Sequence, residues 1–191
     1  MKLTPVVKGI FIANIIAFAL SLFLNDDNIF MKFGLFSVLS PNFQIYQFIS
    51  HMFLQGGILH IMMNMFLFIT FGPICEKRLG GVKFLFFYLI TGLVAATTFM
   101  VINPYTDGPM IGASGAVFGV FFLYTMMNLN SDLYLFFMPF PIKAKYIAFG
   151  MLAWEIFAGI VPSQDNVAHF AHVGGAVMGI LMGLNIKKFK K

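Results

Sequence analysis

Apolar residues dominate six stretches of the chain, at positions 6–24, 58–75, 84–102, 113–128, 146–161 and 167–186, divided by polar clusters and Gly/Pro breaks. Several of these reach the ~20 residues that a helix needs to cross the hydrocarbon core of a bilayer. The pattern therefore predicts an all-α bundle of six membrane helices. Residues 25–57, between the first two, are apolar but interrupted by Asn-Asp-Asp-Asn, Gly34 and Ser40-Pro41-Asn42. That stretch is too broken to span and is expected to form short helices in or on the interface. No internal repeat or low-complexity segment is evident, so one domain over residues 1–191 accounts for the length.

Composition sharpens this picture. Of 191 residues, 60% are hydrophobic and 10% charged, with 26 Phe and 14 Met, more apolar surface than a soluble domain of this size can hide. The first stretch lacks a small-residue cleavage pattern after a short apolar core and reads as a retained helix. The net charge of +5 comes from short clusters beside the spans, which excludes a nucleic-acid partner and points to the lipid bilayer. Cys75 is the single cysteine, at the expected end of the second span, and is read as a packing residue.

Basic residues orient the bundle. Lys2, Lys8, Lys77, Arg78, Lys83, Lys143, Lys145, Lys187, Lys188, Lys190 and Lys191 fall on one side, and Lys32 alone on the other. The positive-inside rule puts both termini in the cytoplasm. Asp26, Asp27, Asp107 and Asp165 then lie outside.

With this topology, spans 2, 4 and 6 run in the same direction, and polar residues on each share a level. His60 and Asn64, Ser114, and His172 differ in depth by no more than about 10 Å at 1.5 Å per residue. Ionisable residues inside a membrane are costly and mark a site or a wet cavity. His60 and Asn64, four apart, share a helix face; His172 shares one with Gly175 and Gly179, and Gly183 continues the stripe. Gly115 and Gly119 offer a matching surface on span 4, and packing along these glycines would bring His172 to Ser114. A hydroxyl next to a base is the arrangement nucleophilic catalysis needs. The Asn64 amide, the His60 ring N–H and the Ser114 backbone N–H could then hold an oxyanion.

These residues resemble the rhomboid family of intramembrane serine proteases, in its bacterial six-helix form, from His51 to about Gly183. "HIMMN" (60–64) is similar to the family's His-x-x-x-Asn, "EKRLG" (76–80) to its loop after the second span, "GASG" (112–115) to Gly-x-Ser-Gly, and "AHVGG" (171–175) to Ala-His-x-x-Gly. The resemblance implies a multi-pass protein of the bacterial plasma membrane that cleaves transmembrane protein substrates. It also implies a Ser114–His172 dyad assisted by His60 and Asn64, no cofactor, and entry gated by span 5, with Trp154 and Phe157. Tyr46-Gln47 stands where the family often has Trp-Arg, and Phe118 where it often has Tyr. The dyad is expected to lack an acidic third member, packing orienting the histidine instead. Glu155, on span 5 beside Trp154, has no counterpart in the resemblance; lining a wet cavity is the one role the pattern suggests for it.

Blander readings exist for each motif. Ser114 serves equally as a small residue for close helix contact. His60 and Asn64 serve as a hydrogen-bonded fastening of span 2, and Trp154 as an interfacial ring. Asp165, His169 and His172, at i, i+4 and i+7, form a possible metal set, although no HExxH is present. A transporter or a catalytically inactive rhomboid-like binder of membrane clients are the non-enzymatic readings.

Overall fold

The computed structural model describes residues 2–24, 28–106, 108–134, 138–161 and 167–188. In chain order its helices are α1 (Pro5–Leu24), α2 (Asn28–Phe33), α3 (Gln47–Ser50), α4 (Ile58–Leu79), α5 (Gly81–Ile102), α6 (Ser114–Met127), α7 (Ala144–Ile160) and α8 (His169–Lys188). One turn of 3-10 helix, His51–Phe53, follows α3, and two short antiparallel strands, β1 (Asp132–Leu133) and β2 (Ile142–Lys143), lie between α6 and α7. The architecture is the expected all-α membrane bundle. Helices α1, α4, α5 and α8 are long and apolar enough to cross a membrane. Their outer faces carry exposed Ile16, Phe23, Met62, Phe66 and Phe86, which suits contact with lipid. Asp26, Asp27, Asp107, Asp165, Lys190 and Lys191, used in the orientation above, lie outside the described residues.

Helix α6 is the centre. Every residue from Gly115 to Met126 is buried, and α4, α5, α7 and α8 pack around it, α8 most extensively. A helix apolar on all sides has no solvent face to offer, so the interior is where it is stable. Its 14 residues measure about 21 Å against about 30 Å of hydrocarbon. A helix this short cannot reach both surfaces, so the connection before Ser114 has to carry backbone to membrane depth. Such backbone is tolerated where protein covers it.

Two boundaries differ from expectation. Helix α4 runs past Cys75 to Leu79 and α5 starts at Gly81, so Glu76-Lys77-Arg78 is helical rather than loop. Hydropathy drops at Glu76, but Lys and Arg are good helix formers and suit the negative end of a helix. The chain turns at Gly80 alone, whose φ of 83° favours glycine. Buried Glu76 caps α1: its carboxylate accepts from the Val6 N–H at 3.1 Å, the Val7 N–H at 2.8 Å and the Thr4 hydroxyl. The first N–H groups of a helix have no partner within it, and an anion there is favoured by the dipole as well. Cys75 is fully buried, with its thiol 3.5 Å from the Val120 carbonyl of α6, which fits the packing role.

Residues 28–57 do form short helices. Gln47 organises them: its Oε1 accepts from the Phe36 and Gln44 N–H groups, and its Nε2 donates to the Lys32 and Asn42 carbonyls. Tyr46 adds a hydroxyl bond to the Lys32 carbonyl. The departure from Trp-Arg thus leaves the loop anchored, because one amide supplies both donor and acceptor to converging backbone.

Candidate active site

The segment before Ser114 is pinned by that loop. Leu35 and Met110 exchange backbone hydrogen bonds of 2.9 and 2.8 Å, and the Gly112 N–H donates to the His51 carbonyl at 2.9 Å. His51 is itself buried with its ring on the Gln47 carbonyl, and burial pushes its pKa down to about 4, so it is neutral at physiological pH. Gly112 has φ of 123°, and a Cβ there would stand 2.9 Å from His60 Cε1. Only glycine allows both the backbone conformation and the histidine beside it.

Ser114 is the first residue of α6, where the helix dipole favours negative charge. His172, in the first turn of α8, sets its Nε2 2.8 Å from Ser114 Oγ. The two helices meet along the predicted glycines: a Cβ on Gly175 would fall on the Gly115 carbonyl, and one on Gly179 on the Gly119 carbonyl. Phe118, one turn after Ser114, stacks on the His172 ring at 4.5 Å between centroids and 11° between planes. Losing the tyrosine hydroxyl leaves that stacking in place.

His60 and Asn64 sit on the first two turns of α4. The Gly56 N–H donates to His60 Nδ1 at 3.1 Å, so the neutral ring carries its proton on Nε2. A Cβ on Gly112 would lie 3.1 Å from that Nε2 and 3.5 Å from Ser114 Oγ, so ring and hydroxyl flank the same glycine. The Asn64 NH2 is engaged elsewhere: it donates to Gln55 Oε1 at 2.9 Å, Gln55 Nε2 donates to Asn14 Oδ1 at 2.9 Å, and Asn14 Nδ2 donates to the Ile10 carbonyl. This buried chain ties α1 to α4, and one hydrogen of the Asn64 amide remains for another acceptor. Asn14 and Gln55 escaped the sequence reading because their alignment depends on how α1 and residue 55 pack, which no spacing rule encodes.

Glu155 is the main correction. It is buried, with Oε2 2.7 Å from His169 Nδ1 and 2.9 Å from His172 Nδ1. The expectation of a histidine with no acidic neighbour fails, because α7 turns Glu155 inwards while Trp154 and Phe157, ring centroids 5.9 Å apart, stay exposed. A signal was available: Glu155 lies near the end of α7 and the two histidines at the start of α8, so antiparallel neighbours bring all three to one level. Asp165, the acid of the metal set considered above, lies outside the described residues. Among the described residues, the donor atoms of Glu155, His169 and His172 lie within 4.8 Å of one another and form a set that could hold a cation. Their 2.7 and 2.9 Å contacts are hydrogen-bond lengths; tetrahedral zinc ligands at ~2.0–2.1 Å from the ion stand about 3.3 Å apart.

Comparison with known proteins matches residues 42–189 to the Rhomboid domain family. Rhomboid protein 1, mitochondrial, of Saccharomyces cerevisiae is 31% identical over 68% of this chain and 38% of its own length. Rhomboid-like protein 11, chloroplastic, of Arabidopsis thaliana is 30% identical over 85% and 61%, respectively. Rhomboid protease GlpG of Haemophilus influenzae is 27% identical over 78% and 73%. The chain thus spans 38% and 61% of the length of the first two relatives, under two thirds of each.

Proposed function

The chain belongs to the rhomboid family, and on that premise we propose that it is a serine-type intramembrane endopeptidase that hydrolyses peptide bonds in or beside transmembrane segments of membrane proteins. The observation that carries this reading is the 2.8 Å contact between Ser114 Oγ and His172 Nε2 inside a membrane bundle. As the hydroxyl attacks the carbonyl, His172 takes its proton and the Ser114 Oγ–C bond forms a tetrahedral intermediate. Its oxyanion is held by the Ser114 N–H, His60 Nε2–H and the second hydrogen of the Asn64 amide. His172 then protonates the amine as the C–N bond breaks, leaving the acyl-enzyme ester, which water hydrolyses with His172 again as base. No cofactor enters these steps.

Reconstituted protein is expected to cleave single-span clients within or next to the span. A folded protein that cleaves none of a panel, and resists an active-site-directed fluorophosphonate, contradicts the reading.

Asn64→Ala is expected to lower kcat by about 10²-fold, the loss typical of one oxyanion donor. The packing adds a consequence that helix propensity alone does not: Gln55 Oε1 loses its donor while buried, which destabilises by about 1–3 kcal/mol. Gln55→Leu breaks the same hydrogen bond but keeps the amide, so its melting temperature falls comparably while kcat falls less. Equal kcat losses in both variants would make Asn64 structural.

The lysine asymmetry supports a topology with both termini cytoplasmic; the bacterial plasma membrane as its location rests on the family resemblance alone. A cysteine introduced at Lys190 should resist impermeant maleimide in intact cells and react after permeabilisation. Labelling without permeabilisation reverses the topology.

A further inference from the structure

We propose that Glu155 completes a Ser114–His172–Glu155 triad as the positioning residue for His172, with His169 as the second donor that holds the carboxylate; this rests on the protease reading above. The distances form a line from Ser114 Oγ to His172 Nε2 at 2.8 Å, and from His172 Nδ1 to Glu155 Oε2 at 2.9 Å. A carboxylate only accepts hydrogen bonds. With its oxygen that close to Nδ1, a lone pair on Nδ1 would be repelled, so the ring proton belongs on Nδ1. That leaves the Nε2 lone pair facing the Ser114 hydroxyl, the tautomer a general base requires.

The His172 N–H points off the line to Oε2, since Nδ1 lacks an aligned acceptor, whereas the His169 bond to the same oxygen is well formed. Catalytic hydrogen bonds in unliganded enzymes are commonly bent and straighten as charge develops. When Nε2 takes the serine proton, the positive charge on His172 appears next to Glu155, and the proton on Nδ1 stays where it is. Glu155 accepts no proton; it stabilises the imidazolium until Nε2 passes its proton to the leaving amine. His169 holds Oε2 in place throughout, and stacking on Phe118 fixes the plane of the His172 ring. A buried carboxylate near two buried histidines is costly to maintain inside a bilayer, and this role gives it a reason to be there.

The test uses the full-length protein in detergent. Glu155→Gln keeps the side-chain volume and removes the charge. Its kcat is expected to fall about 10²–10⁴-fold with KM within twofold of wild type, because an amide no longer enforces the tautomer. Glu155→Asp should recover part of that loss. Wild-type kcat in a folded Glu155→Gln variant overturns the triad. A measurement independent of variant folding is ¹⁵N-histidine NMR of the wild type, which should report His172 as the Nδ1–H tautomer; the Nε2–H tautomer overturns the proposal. Loss of activity on chelation with recovery on adding zinc does the same, by making the three residues a metal site. Failure of the protease reading looks different: the wild type itself then neither labels at Ser114 nor cleaves a client.

Discussion

Ser114→Ala is expected to abolish labelling by a fluorophosphonate probe and all cleavage, and His172→Ala to remove nearly all of both. Phosphonylation, like acylation, needs a hydroxyl whose proton has somewhere to go, and His172 Nε2 at 2.8 Å is that acceptor. In the wild type, mass spectrometry should find the adduct on Ser114. His169→Ala should keep substantial labelling, since the His169 ring bonds to Glu155 and the proton acceptor is His172. Asp165→Ala should also label, and a chelator should leave labelling unchanged because no step calls for a metal. Full labelling of folded His172→Ala would remove the base from the mechanism. A label on another residue would move the nucleophile.

The second large effect comes from a residue with no chemistry. Gly175→Ala places a methyl group where the Gly115 carbonyl already stands, so α6 and α8 must separate. Overpacking of this kind destabilises by about 1–3 kcal/mol. The effect on rate should be larger than stability suggests, because Ser114 and His172 ride on those two helices, and a displacement of about 1 Å can slow catalysis 10²-fold. Gly150→Ala is the control, since a Cβ there meets nothing within 4 Å. The measurements are melting temperature and kcat in the same detergent. Equal behaviour of the two variants would mean that the glycine contact does not set the geometry of the site.

The parts of this protein that were legible in the sequence are those governed by local periodicity. Runs of apolar residues mark helices whatever their neighbours, so the six expected spans correspond to α1, α4, α5, α6, α7 and α8, with most ends within a residue or two and a larger shift where charged residues continue a helix, as at Glu76–Leu79. Spacing along one helix likewise put His60 with Asn64, and His172 with Gly175 and Gly179, and small residues on two helices predicted close approach because nothing else permits it. What only the tertiary structure decided are the partners of polar groups that meet across elements. Gln47 bonding four backbone groups, the Asn14–Gln55–Asn64 chain, Glu76 capping α1 and Glu155 between two histidines each join residues from separate segments. A buried polar side chain must find a partner, and that requirement is visible in sequence; which partner it finds depends on helix rotation and depth to within an ångström or so, and those are set by packing of the whole bundle.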